Sequence, residues 1–207
     1  MTDTAATTRA EQKLITRQRL LETTIDIIAD EGFAGVTMAK VAERAGLSRG
    51  ICNFHFQTKE QLMLEAFRGL YIEHEQTWRK ILTDDARSAA ERLSALIETL
   101  LTPPIADHKK VAVWLAFWGV TPHRQTYLNV CTEVDCQYED AITELLHELA
   151  GGQEKLHGLP LRSIAVSLTA LIDGTLLQYL IAPGRLSPNE AIRSCLTYLG
   201  SFFPQFR

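Results

Sequence analysis

Residues 37–59, TMAKVAERAGLSRGICNFHFQTK, decide how this chain folds. Thr37 is placed to cap a short helix in which Met38, Val41 and Ala42 recur at helical spacing. Ala45-Gly46-Leu47 then breaks that helix, with glycine where a sharp turn would penalise a Cβ. Ser48 is placed to cap a second short helix from Arg49 to His55, and Thr58 a third that begins at Lys59. Two short capped helices across a glycine turn predict a helix-turn-helix, whose second member lies in the major groove of DNA.

Outward from this unit the pattern stays helical. Upstream, Leu14, Leu20, Leu21, Ile25, Ile27, Ile28 and Phe33 make an amphipathic helix ending at Gly32, after a polar arm over residues 1–12 that is expected to be disordered. Downstream, a helix over 59–82 is roughly 36 Å long at 1.5 Å per residue, enough to tie a DNA-binding head to a separate body. Asp84 or Asp85 is expected to open a further helix that Pro103-Pro104 ends. Asp107 opens one closed by Gly119, and Thr121-Pro122 opens a long one that runs to Ala150. Pro160 starts the next, and Ser187-Pro188-Asn189-Glu190 is a capping box for the last. No segment alternates with period two for long enough to predict a strand. The expected fold is all-α: a three-helix head over 13–60 and a helical ligand-binding and dimerisation body over 61–207.

Composition narrows the classes. The chain has 207 residues, 46% hydrophobic and 22% charged, ordinary values for a globular protein. There is no run of eighteen apolar residues and no charged-then-apolar leader, so a cytoplasmic protein with no membrane partner is expected. The four cysteines show no paired or metal-like spacing, which suits a reducing compartment. Residues 1–60 carry eight basic and eight acidic residues, so the net charge of −4 belongs to the remainder. Non-specific DNA affinity should therefore be modest, with contacts made locally from Arg9, Lys13, Arg17, Arg49 and Lys59. No phosphate-binding loop, GxSxG or HExxH motif is present, and an enzyme is not expected. Neither a metal nor a cofactor is expected.

Thr37, Ala42, Ala45-Gly46, Ser48-Arg49-Gly50, Phe56 and Lys59, following Glu31-Gly32-Phe33, resemble the DNA-binding region of TetR-family regulators. The resemblance covers about residues 14–62 and implies that Arg49 to His55 is the recognition helix. Arg49 is then suited to guanine and Asn53 to adenine. Gly50 would let the backbone approach DNA, and Thr37, Ser48 and Lys59 would meet phosphates. His55 stands where many relatives have Tyr, and Ile51 where many have a hydroxyl. Phe54 and Phe56 are read as core, and Cys52 as a small buried filler. The resemblance also implies a homodimer, formed through the last two helices at 161–182 and 188–203, on a palindromic double-stranded operator.

Trp114 and Trp118 lie at i and i+4, with Phe117 between them and Trp78 on another helix. Ordinary core packing and an aromatic pocket for a flat or cationic ligand both fit this spacing. Residues 114–118 (WLAFW) and 170–174 (ALIDG) resemble the bodies of the BetI-like branch, which implies a small-molecule effector, with a choline-like cation as the candidate. Trp78, Trp114, Phe117, Trp118, Tyr127 and Asp173 are the candidate ligand residues. Asp173, a charge within an apolar helix, needs a partner: either a cationic ligand or a role at the dimer interface beside Gly174. His108, His123, His147 and His157 read as solvated, and Cys131 with His123 or His147 is an unsupported nucleophile pair. The expected function is a ligand-released dimeric repressor, the alternative a ligand-independent or activating DNA-binding protein.

Overall fold

Two units, residues 1–69 and 70–207, make up the chain in the computed structural model. It describes residues 8–120 and 125–207, without the side chains of Cys131 and Glu133. Residues 1–7 of the expected arm, the expected cap Thr121-Pro122, His123 and Arg124 lie outside the described residues, as does the Cys131 side chain.

In the first unit α1 (Arg9–Gly35) begins earlier than expected. The Thr8 hydroxyl accepts from the Glu11 amide while the Glu11 carboxylate accepts from the Thr8 amide, a capping box that makes residues 9–12 helical. Gly32, at φ +70°, breaks the helical path near the α1 end. Thr37 caps α2 (Met38–Arg44) and Ser48 caps α3 (Arg49–His55), as the sequence predicts. Gly46 joins them at φ +67°, and a Cβ there would lie 3.2 Å from an Arg19 guanidinium nitrogen. Leu20, Ile27, Ile28, Val36, Val41, Ala42, Cys52, Phe56 and Leu62 form the buried interior. Phe54 does not join it and is 70% exposed. It sits two residues from both Cys52 and Phe56, about 200° round a helix from each, so the face that buries them turns it outward.

The second unit takes the C-terminal part of α4 (Lys59–Leu82). α5 (Ala89–Leu100) starts later than Asp84 or Asp85, because a Ser88/Glu91 capping box sets its first turn. Asp84 instead accepts from the Ala86 amide in the preceding turn. α6 (His108–Val120) and α7 (Gln125–Ala150) follow. A two-residue antiparallel hairpin, β1 (Lys155–Leu156) with β2 (Leu159–Pro160), is too short to show alternation in the sequence. Then come α8 (Leu161–Ile181), α9 (Pro188–Gly200) with the expected Ser187/Glu190 capping box, and a 3-10 turn at Pro204–Phe206.

The body core gathers Trp78, Leu93, Leu96, Ile97, Ile142, Leu146, Leu168, Cys195 and Phe203 from α4, α5, α7, α8 and the C-terminal end. α8 buries Leu161, Ile164, Ala165, Leu168, Ile172 and Thr175 on one side. By length and composition alone it is apolar enough to cross a membrane. Its other side carries exposed Val166, Ala170, Gly174, Leu177 and Ile181, at spacings of four, four, three and four residues. These spacings place the five residues along one outward stripe of the helix.

Candidate DNA-reading face and effector cavity

In the head, Thr37, Ser48, Arg49, Gly50 and Asn53 are all exposed. The Thr37 hydroxyl accepts from the Lys40 amide at 3.1 Å and the Ser48 hydroxyl from the Ile51 amide at 3.2 Å, so both hydroxyls hold helix starts. A Cβ at Gly50 would meet only the Ser48 hydroxyl, at 3.7 Å, so folding alone does not require glycine there. Much of the remaining basic charge is engaged locally. Arg17 pairs with Glu65, Lys40 with Glu31 and Arg44 with Asp30, while the Lys59 ammonium donates to the Phe33 carbonyl at 3.3 Å. His55 is half-buried between the rings of Phe54 and Phe56, and its Nδ1 is buried without a partner. Burial, then the charges of Lys13 and Arg17, hold its imidazole below the usual range. The outward face is thus narrower than the residues named from sequence, with Lys59 and His55 turned toward the head itself.

In the body, a cavity of about 210 Å³ is lined by Tyr71 and His74 of α4, Trp114 and Trp118 of α6, Asp135 and Tyr138 of α7, and Asp173 of α8, among others. Helical spacing brings them together: Tyr71 and His74 lie three apart, Trp114 and Trp118 four apart, and Asp135 and Tyr138 three apart. The Tyr71 and Trp114 rings meet edge to face at 4.8 Å, and the Trp114 and Trp118 rings lie tilted to each other at 6.2 Å. His74 stands 5.8 Å from Trp114 and 5.5 Å from Tyr138. No lysine or arginine lines the cavity among the described residues.

Three of the six candidate ligand residues therefore converge, Trp114, Trp118 and Asp173. Trp78, Phe117 and Tyr127 do not: all three are buried off the lining, where their rings fill the interior. Phe117 packs on Tyr127 at 5.8 Å, and Trp78 on Tyr138 at 5.6 Å. Asp173 lines the cavity, whereas its neighbour Gly174 lies on the exposed α8 stripe, so one residue of helical rotation separates the two roles weighed for that segment. Tyr71, His74, Asp135 and Tyr138 escape a search for tryptophans. The signal that reveals them is the pairing of an aromatic or acidic residue three positions apart on α4 and on α7.

The electrostatics suit a cation. Burial, with the nearby charge of Asp135, pushes the Asp173 carboxyl up to about 7. Burial and then the Glu139 charge also raise Asp135, and burial pushes His74 down to about 4, so this imidazole is neutral at physiological pH. The Tyr138 hydroxyl is buried without a partner, and burial followed by the Asp173 charge keeps it protonated far above the usual phenol range. Neither Asp135 nor Asp173 has a hydrogen-bond or ion-pair partner among the described residues. No group of three or more His, Cys, Asp or Glu placed for a metal occurs among the described residues.

A capped helix-turn-helix on one unit and a helical body with a lined cavity on the other define a ligand-sensing transcriptional regulator. Comparison with known proteins gives the family. Residues 20–66 match the family model of bacterial regulatory proteins of the tetR family. Residues 89–204 match that of the BetI-type transcriptional repressor, C-terminal. The chain belongs to the TetR family, with a BetI-type body. The HTH-type transcriptional regulator BetI of Serratia proteamaculans is 29% identical over 189 residues, covering 89% of this chain and 91% of the relative. That of Pseudomonas fluorescens is 27% identical over 200 residues, covering 89% and 91%. Among solved structures, a transcriptional regulator from Pseudomonas aeruginosa PAO1 superposes with a TM-score of 0.78 at 26% identity, covering 89% of this chain and 88% of that one. One from Saccharomonospora viridis, in complex with choline, does so with a TM-score of 0.75 at 24% identity, covering 90% and 96%. The relatives are transcriptional regulators, and DNA is the partner of this family.

Proposed function

We propose that this regulator is a cytoplasmic homodimeric repressor of a palindromic operator, released by a small quaternary ammonium effector of the choline class. The observation that carries the effector reading is the cavity, whose wall joins the Tyr71, Trp114 and Trp118 rings to the carboxyl groups of Asp135 and Asp173 without a basic side chain. Aromatic faces attract a desolvated cation by their quadrupole, and the carboxylates supply its counter-charge. The choline complex of the Saccharomonospora viridis regulator supports the same reading. Release is a two-state shift: α4 gives Tyr71 and His74 to the cavity, and its first residues belong to the DNA-binding unit. The effector moves this equilibrium only by its differential affinity for the two states.

Thermal unfolding with choline, betaine aldehyde, glycine betaine, polyamines, aromatic acids and fatty acids tests it. A ligand at 100 times its dissociation constant adds about 2.7 kcal/mol of stability. A raised midpoint with choline-like cations is the expected result. A shift with acids alone, or none across the panel, discards the effector class. Trp114→Ala is expected to abolish that shift and leave operator affinity within about twofold; equal loss of both would make Trp114 a packing residue.

On the DNA side, we infer that Arg49 and Asn53 read bases while the Gly50 backbone, Thr37 and Ser48 meet the sugar-phosphate chain. Arg49→Ala is expected to cost about 1–3 kcal/mol on the selected operator and to relax preference at one base pair per half-site. Binding measured across single-base operator variants checks it, and an unchanged profile removes Arg49 from the reading set.

A further inference from the structure

We infer that Phe54, with Ile51 beside it, reads thymine by its 5-methyl group and so sets part of the operator sequence. The inference rests on α3 being the DNA-reading helix and adds an apolar contact to the polar ones assigned above.

The side chains of α3 divide sharply. Cys52 and the following Phe56 are fully buried, while Arg49, Gly50, Ile51, Asn53 and Phe54 face outward. Phe54 is 70% exposed and Ile51 40% exposed. Three residues apart on a helix, they form one apolar strip on the side opposite Cys52. The polar reading groups lie along one edge of that strip: Gly50, one helical turn before Phe54, adjoins it, with Asn53 and Arg49 beyond. The Lys13 ammonium lies over the Phe54 ring, 5.2 Å from its centre, so a cation stands beside the apolar strip. An apolar strip with a cation beside it matches the major groove, where bases lie between phosphates. Base edges there present donors, acceptors and a single kind of apolar group, the thymine methyl. A ring at the centre of the outward face has that methyl as its complement.

The test uses the full chain and duplex DNA selected by it from a random pool. Each thymine of the selected site is replaced in turn by deoxyuridine, which removes only the methyl, and affinity is measured for the native protein, Phe54→Ala and Ile51→Ala. For the native protein, at least one substitution per half-site is expected to weaken binding about fourfold, the worth of one apolar carbon removed from water. The same substitution is expected to leave Phe54→Ala unaffected, because the contact is already gone. Circular dichroism and the effector-induced midpoint shift verify that each variant is folded. Deoxyuridine that weakens the native protein and Phe54→Ala equally, or is tolerated at every position, overturns the thymine assignment alone. A pool that yields no enriched sequence overturns the role of α3 as well. Unchanged DNA affinity with loss of a self-association or protein contact in Phe54→Ala would assign the strip to a protein surface and also overturn it.

Discussion

Asp173→Asn is expected to bind choline-like cations roughly thirtyfold more weakly than the native protein, yet to unfold at a higher temperature when no ligand is present. The affinity loss, about 2 kcal/mol, is at the lower end for removing one member of a desolvated charge pair. The gain in stability has the same origin. The Asp173 carboxyl is pushed up to about 7 by burial, against about 3.9 for an aspartate in an unfolded chain. Between those values the folded chain holds a proton that the unfolded chain has released, so stability falls as pH rises through that window. Asparagine carries no such proton and escapes the loss.

The same carboxyl sets the pH dependence of binding. A quaternary ammonium favours the ionised form, so affinity should rise with pH below about 7 and level off above it. Asp135, raised by burial to about 6, broadens the rise, while His74, pushed to about 4, stays neutral throughout. Titration with choline from pH 5.5 to 8, on the native protein and on Asp173→Asn, measures both effects. Affinity independent of pH, with no loss in the variant, would remove Asp173 from the effector site.

Leu177→Glu with Ile181→Glu should turn the protein into a monomer and reduce operator affinity at least a hundredfold. Leu177 is 38% exposed and Ile181 62% exposed, and both lie on the outward stripe of α8 with Val166, Ala170 and Gly174. In the proposed dimer, with this stripe packed against its own copy, the introduced carboxylates would be brought together, repel and lose solvation. Two linked heads gain about 10² to 10⁴ in avidity over one, and a monomer loses it. Both replaced side chains point away from the core, so the chain should fold and its midpoint should still rise with choline. Sedimentation and operator binding together decide the matter. A dimer that persists in the double variant would place the interface elsewhere.

The helix-turn-helix was readable because its determinants are local. Thr37, Ser48 and Gly46 act on backbone groups within four residues, and their effect is written in the order of the chain. The starts of α1 and α5 are set by equally local signals, Thr8-x-x-Glu11 and Ser88-x-x-Glu91, which lie outside the apolar periodicity of those helices. Aromatic character alone points Phe54 to the core, whereas its offset from Cys52 and Phe56 turns it outward. The cavity was readable only in part. Trp114, Trp118 and Asp173 stood out as unusual residues, but Trp78, Phe117 and Tyr127 looked no different and are packed away from it.

By itself the sequence determined the order of the helices, the caps of α2, α3 and α9, the helix-turn-helix and the family, because each rests on interactions between near neighbours or on an ordered run of residues. Which aromatic side chains pack together and which wall a cavity, and that Asp173 faces that cavity while Gly174 faces outward, was decided by the tertiary structure. A cavity is made by helices distant in the chain, and the charge state of Asp173 depends on a desolvation that exists only once those helices close around it.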